Sequence, residues 1–162
     1  AERGEIFLFK INSKMEVHYY NVNINWDTDR KGVMCSPELN TTTDNCIHVA
    51  TPPEFPKGMP DIWSPEHLFT AAVSSCLMTT FLAIAENFRL EFTSFSCLSK
   101  GKLEQVDGKF MMTEIILEPT VTITDEANRE KAGRVLQKSE AACLISNSIK
   151  SKVTMIPTVR VV

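Results

Sequence analysis

The stretch LFTAAVSSCLMTTFLAIA, residues Leu68–Ala85, contains no charged side chain in 18 residues. Its length is near the lower limit for a membrane-spanning helix, but half of its residues are Ser, Thr or Ala and no positive cluster flanks it. A helix that is apolar all round is typical of one that is covered on several sides within a protein. The stretch therefore predicts a buried central helix rather than a membrane span. In a chain this small, a second subunit could supply one of the covers.

The residues before this run have the features of a helix start. Ser64 is a favourable N-cap, and Pro65 at the first helical position loses nothing because that N–H would be unpaired anyway. Glu66 complements the positive end of the helix dipole. We expect the helix to reach about Asn87. Cys76 then lies in its middle among hydroxyl side chains, where it could serve either packing or chemistry.

Alternating and turn-forming residues predict strands on both sides of this helix. Asp107-Gly108 is a strong signal for a two-residue hairpin, and Pro119 is expected to bend or interrupt its second arm. The segment from His18 to Trp26 alternates as a half-buried strand does. The predicted strands are His18–Trp26, Val33–Leu39, Cys46–Ala50, Phe92–Val106, Lys109–Ile123 and Lys152–Val162, the last interrupted by Pro157.

A second, amphipathic helix is predicted from a cap at Thr124–Asp125 to about Ser146. Four prolines make the segment 51–63 irregular. The order of elements predicts an α+β fold in which antiparallel sheets are covered by two helices, including the long buried one. We expect one domain over residues 1–162, with residues 1–14 being either a tag or a loosely attached extension.

Composition disfavours several classes of function. The net charge is -3 and no Lys/Arg run occurs, so nucleic acid is not an expected partner. The five cysteines include no CxxC pair, which argues against structural zinc and against a secreted disulfide framework. We therefore expect a reducing, cytoplasmic setting. Cys35, Cys46 and Cys97 are interpreted as small apolar residues in strands.

Cys76 and Cys143 differ from the other cysteines because both lie on predicted helices among small residues. Small neighbours let helices approach closely, as a pair of interacting cysteines requires. A reactive Cys76 would need a cation from elsewhere, since the helix dipole fades within one turn. Arg30 is a candidate, with Glu66 as its orienting partner. From the residues alone, Arg30 could equally be a solvated turn residue and Glu66 a helix-start carboxylate.

Three segments, in this order, resemble the OsmC/Ohr family of thiol-dependent hydroperoxide-detoxifying proteins. They are TPPEFPKGMPDIWSPEHLFTAAVSSCLMTTFLAIAE (51–86), the hairpin RLEFTSFSCLSKGKLE with FMMTEIILEPTVTI, and EANREKAGRVLQKSEAACLISNS. Leu144 follows the second cysteine where better-characterised branches have Pro. The chain is thus closer to a general OsmC-like branch.

The resemblance implies an intertwined homodimer with active sites at the subunit boundary and no metal or other cofactor. It implies that Cys76 attacks the peroxide, that Cys143 resolves the sulfenic acid as a disulfide, and that Arg30 and Glu66 stabilise the thiolate. We expect a thiol-dependent peroxidase that reduces organic, lipid-like hydroperoxides. Phe55, Met59, Trp63 and Phe69 are expected to line the substrate site. A binding module for a hydrophobic ligand and a redox sensor remain the alternatives.

Overall fold

Two sheets and two helices make up the α+β fold, as the sequence predicts. The computed structural model describes residues 17–39 and 45–162, and the expectation for residues 1–14 lies outside them. A three-stranded antiparallel sheet, in the order β1-β2-β3, precedes α1. The second sheet is mixed, because β6 and β7 both pair parallel with β5. The elements are β1 (Asn23–Thr28), β2 (Lys31–Cys35), β3 (Ile47–Ala50), α1 (Pro65–Asn87), β4 (Ser94–Val106), β5 (Lys109–Ile123), α2 (Arg129–Ala142), β6 (Lys152–Met155) and β7 (Thr158–Val161).

The central helix α1 begins where the sequence predicts. The Ser64 hydroxyl accepts a hydrogen bond from the His67 backbone N–H, and the His67 ring accepts one from the Ser64 N–H. This reciprocal capping satisfies two donors that a helix start leaves unpaired. Ser64 as the N-cap, Pro65 at the first position and the end at Asn87 are therefore confirmed.

One face of α1 packs against β5 and α2 to form the core. Val73, Leu77 and Phe81 are completely buried there. The opposite face is open, with Met78 and Leu82 each about two-fifths exposed (40% and 44%). Within the described ranges, α1 is the one helix long and apolar enough to cross a membrane. Its packed face is what the core helix of a globular domain shows.

The long hairpin confirms the turn but not the expected break. Asp107 and Gly108 both have positive φ, as a two-residue type I′ turn requires. Pro119, however, lies buried within a continuous β5, opposite Cys97. Because β6 pairs with β5 before this position and β7 after it, the missing N–H of Pro119 lies where neither strand needs it. The predicted interruption at Pro119 is therefore wrong, whereas the one at Pro157 is confirmed between β6 and β7.

The second helix ends earlier than predicted. A single turn of 3₁₀ helix capped by Asp125 leads into α2, which stops at Ala142 instead of Ser146. Cys143 is its C-cap and has an extended backbone. The chain then turns through a second short 3₁₀ segment, Ser146–Ser148. This early end turns the backbone amides after Cys143 out of the helix.

The first sheet differs most from expectation. β1 starts at Asn23 rather than His18, and all six of its residues are exposed instead of half-buried. The reason is that nothing in the described part of the chain covers this strand. Cys35 and Cys46, interpreted as small apolar residues, are joined in a disulfide. That interpretation is wrong, and the expected reducing setting loses one of its supports.

Candidate functional site

Cys76 and Cys143 lie together between the two helices. Cys76 is on a flank of the packed face of α1, and its sulfur lies 4.0 Å from the Thr80 hydroxyl one turn further on. Cys143, at the end of α2, places its thiol in hydrogen-bonding contact with the Cys76 sulfur. Both are free thiols. Two thiols in contact are the arrangement from which a disulfide can form.

The surroundings of Cys76 favour its thiolate. Burial is the largest single influence and by itself would raise the pKa of Cys76. Hydrogen bonds from the Ile145 backbone N–H, the Cys143 thiol, the Thr80 hydroxyl and the Leu144 backbone N–H together outweigh burial, so the pKa lies below its ordinary value. Hydrogen bonds to the charged form stabilise it, as expected. Cys76 is therefore the thiol that ionises first.

Cys143 has the opposite character. Burial raises the pKa of Cys143, contacts from Ser146 lower it, and its hydrogen bond to Cys76 and the charge there raise it further. The net result is a pKa above the ordinary value. Cys143 has no exposed surface, whereas Cys76 is partly exposed. A small molecule from solvent can therefore reach Cys76, which is the better nucleophile. Cys143 lies buried next to it and stays protonated.

Two amides that sequence analysis missed contribute to the activation of Cys76. The sequence led us to expect that only a cation could lower this pKa, but the Leu144 and Ile145 N–H groups do so without one. They are available because α2 ends at Ala142 and the chain turns directly after Cys143. The signal for Thr80 was present, since it lies one helical turn from Cys76.

Arg30 and Glu66 are not brought together within this chain. Arg30 is exposed in the turn between β1 and β2, beside a cleft of about 580 Å³ that Asp29, Lys57 and Met59 also line. It forms no ion pair with any residue of the described ranges. Glu66 faces a different groove. The predicted pair is therefore absent within a single copy.

Glu66 nevertheless has an unsatisfied oxygen. Its Oε2 atom is buried and has no hydrogen-bond partner among residues 17–39 and 45–162. Glu66 lines a groove of about 770 Å³ together with Trp63, His67 and Cys97. A buried carboxylate oxygen without a donor is costly, so a donor from outside this chain would be favoured there.

The four side chains expected to line a substrate site do not converge in one chain. Phe55 packs edge-on against Phe110, with ring centroids 5.3 Å apart. Met59 lines the cleft beside Arg30, and Trp63 the groove beside Glu66. Phe69, in the first turns of α1, packs against the buried core.

The parts of the chain that the structure describes contain no group of three or more His, Cys, Asp or Glu side chains that could hold a metal ion.

The chain is thus an α+β protein in which the two helices bring a pair of free cysteine thiols into contact. The OsmC-like protein family model matches residues 58–157, and the chain belongs to that family. An uncharacterized Bacillus subtilis protein, YmaD, is 25% identical over 144 residues, covering 87% of this chain and 93% of YmaD.

Solved structures share the fold at low identity. An OsmC-like protein of unknown function from Vibrio cholerae superposes with a TM-score of 0.75 at 22% identity, covering 87% of this chain and 99% of that one. An organic hydroperoxide resistance protein from Elizabethkingia anophelis, solved with bound thiocyanate, gives a TM-score of 0.71 at 18% identity, covering 92% of this chain and all (100%) of that one.

Proposed function

We propose that this protein is a thiol-dependent peroxidase that reduces organic hydroperoxides, with Cys76 as the attacking thiolate and Cys143 as the resolving thiol. The observation that carries the proposal is the contact between two thiols of opposite character, one partly exposed with a lowered pKa and one buried with a raised pKa. The family supports it, because structural neighbours are named organic hydroperoxide resistance proteins.

The reaction has three steps. The Cys76 thiolate attacks the terminal oxygen of ROOH, the O–O bond breaks, and Cys76 sulfenic acid and the alcohol ROH form after proton uptake. The Cys143 thiol then attacks the sulfenic acid sulfur, which gives the Cys76–Cys143 disulfide and water. Two external thiols reduce this disulfide by exchange and become a disulfide themselves. Because Cys143 already contacts Cys76, the second step needs no large movement.

The proposal includes a homodimer in which a second copy donates Arg30 to Glu66. Three features support it. Among the described residues, the Glu66 Oε2 is buried without a donor and Arg30 is exposed without an acceptor, and the face of α1 that carries Met78 and Leu82 is open. A guanidinium that reaches from Glu66 toward Cys76, nearly three turns further along the same helix, would add positive charge near the thiolate and lower its pKa further.

The substrate is proposed to be a bulky, apolar hydroperoxide. Trp63 is 52% exposed and lies edge-on to His67 at the groove, so it offers apolar surface that a hydrocarbon tail could bury. Hydrogen peroxide would gain nothing from such contact. We expect cumene hydroperoxide to be consumed faster than hydrogen peroxide.

The test is thiol-dependent consumption of cumene hydroperoxide by the wild type and by Cys76→Ser. We expect turnover by the wild type and none above background by the variant, because a hydroxyl at this position is not ionised near neutral pH. Gln137→Ala, on the exposed side of α2 and away from both thiols and both grooves, is the control and should keep wild-type turnover. Equal rates for the wild type and Cys76→Ser would contradict the proposal and favour a ligand-binding protein.

A further inference from the structure

The disulfide between Cys35 and Cys46 takes no part in the chemistry proposed above. It lies at the open end of the β2–β3 pair, where the ladder runs Lys31↔Ala50, Gly32↔Val49, Val33↔His48 and Met34↔Ile47. The same register makes Cys35 and Cys46 the next directly opposite residues. Their Cα atoms are 4.4 Å apart, the separation of a non-hydrogen-bonded antiparallel pair. The two cysteines thus face each other because of the sheet register.

This position allows the disulfide to open without unfolding the chain. Both cysteines are partly exposed, so a small thiol can approach either sulfur. The Met34↔Ile47 pair beside them keeps the two strands in register when the bond is broken. Reduced Cys35 and Cys46 would therefore stay opposite each other, ready to be oxidised again.

The sheet that this disulfide closes is held by few apolar contacts. In β1, β2 and β3 together, only Gly32, Val49 and Ala50 are buried. A backbone hydrogen bond from the Ala50 N–H to the Trp63 carbonyl ties one end of the sheet to the rest of the chain, and one from the Thr51 N–H to the Arg30 carbonyl closes that same end. A cross-link matters most where burial contributes little, because it limits the conformations of a loosely held segment.

Reduction would also loosen the turn next to the disulfide. Ser36 and Glu38 follow Cys35 directly, and the Glu38 carboxylate accepts hydrogen bonds at 3.0 Å from the Asn21 backbone N–H. The turn thereby anchors the exposed segment that leads into β1. At the opposite end of β1 lies Arg30. The disulfide and Arg30 are thus the two ends of one thin sheet.

We propose that Cys35–Cys46 is a second, reversible redox couple, and that its state sets the order of the sheet that presents Arg30. Reduction takes two small thiols: one forms a mixed disulfide with Cys35 or Cys46, the second releases it, and two protein thiols and one small-molecule disulfide result. The effect of this disulfide on Arg30 rests on the proposed function, whose reductant is the same class of thiol. The reversibility of the Cys35–Cys46 disulfide does not depend on the proposed function.

The couple is tested in a Cys76→Ser/Cys143→Ser variant, which has no peroxidase chemistry. Under native conditions, dithiothreitol followed by an alkylating reagent and peptide mass spectrometry should label both Cys35 and Cys46, whereas the air-oxidised protein should label neither. Hydrogen exchange should rise in β1 and β2 on reduction and stay unchanged in β4 and β5. Labelling of the pair only after denaturation, or full labelling of the air-oxidised protein, overturns the proposal.

The effect on Arg30 is tested in an otherwise wild-type protein. Cys35→Ser/Cys46→Ser should slow the first oxidation of Cys76, by less than Arg30→Ala does, and should slow an Arg30→Ala protein no further. An additional loss in the Arg30→Ala background would show that the disulfide acts elsewhere and would overturn this part. If the wild type consumes no peroxide, the proposed function fails, while labelling and hydrogen exchange still decide whether the couple exists.

Discussion

The thiol pair and the Arg30 turn differ in how completely one chain builds them. Cys76 and Cys143 lie between two helices against a fully buried core, and each already contacts the other. Arg30 lies on a sheet whose first strand is wholly exposed, and it has no partner within the described residues. Under the proposed function, the nucleophile is complete in one copy, whereas the cation that activates it further comes from a second copy.

The largest effect is expected from removing the resolving thiol. Cys143→Ser should permit one oxidation of Cys76 and then stop, because the sulfenic acid has no neighbouring thiol to condense with. Mass spectrometry after excess peroxide should show Cys76 as sulfinic or sulfonic acid. Continued turnover at the wild-type rate would mean that Cys143 is a packing residue.

A charge on the open face of α1 should remove the contribution of Arg30 while leaving the thiol pair intact. Met78→Asp would place an unpaired carboxylate in the apolar contact proposed between two copies, so the protein should sediment as a monomer at micromolar concentration. Its Cys76 and Cys143 should still form a disulfide, while peroxide consumption falls toward that of Arg30→Ala. Gln137→Asp, on the exposed side of α2, is the control and should leave assembly intact. A wild-type protein that is itself monomeric would contradict the proposal that a second copy supplies Arg30.

Removing the guanidinium should reduce activity without abolishing it. The hydrogen bonds around Cys76 already lower its pKa, so Arg30→Ala should raise that pKa by about one unit and slow oxidation about tenfold near neutral pH. The sign follows from the thiolate being the reactive form: the rate is lost as pH falls below the pKa and recovers as pH rises above it. Arg134→Ala, an exposed arginine on α2, is the control. A pH–rate profile that does not move in Arg30→Ala would remove Arg30 from the mechanism.

The smallest effect should come from one hydroxyl. Thr80→Val keeps the shape of the side chain but removes the hydroxyl that lies 4.0 Å from the Cys76 sulfur and helps to lower the Cys76 pKa. The pH profile of Cys76 alkylation should shift upward by at most about half a unit. Thr79→Val is the matched control, because the Thr79 hydroxyl donates to the backbone carbonyls of Ser75 and Cys76 instead of the sulfur. Equal shifts in both variants would indicate a general loosening of α1.

Local signals explain which parts of this fold could be predicted. Ser64-Pro65 fixed the start of α1 and Asp107-Gly108 the hairpin, because caps and tight turns depend on a few adjacent residues. The early end of α2 was missed, and with it the two amides that face Cys76. Nothing local marks that end, since Cys143 and Leu144 could continue a helix.

Contacts that depend on distant chain segments were beyond the sequence. The facing of Cys35 and Cys46 follows from the β2–β3 register, and the predicted strand Val33–Leu39 ran four residues past the true end of β2. The pairing of Arg30 with Glu66 was one of two interpretations of the residues and was implied by the family resemblance, and within one copy it is absent. The proposed second chain would supply what neither periodicity nor capping can reveal.

The central claim, that Arg30 acts on the Cys76 of another copy, is tested most directly with a hybrid dimer. One subunit carries Arg30→Ala and the other carries Cys76→Ser, with two affinity tags to isolate the mixed species. If Arg30 acts across the interface, the hybrid has one intact site and should show about half of the wild-type rate per dimer, although the Cys76→Ser parent is inactive and the Arg30→Ala parent slow. A hybrid no faster than about half of the Arg30→Ala parent would contradict the claim and place Arg30 beside the Cys76 of its own chain.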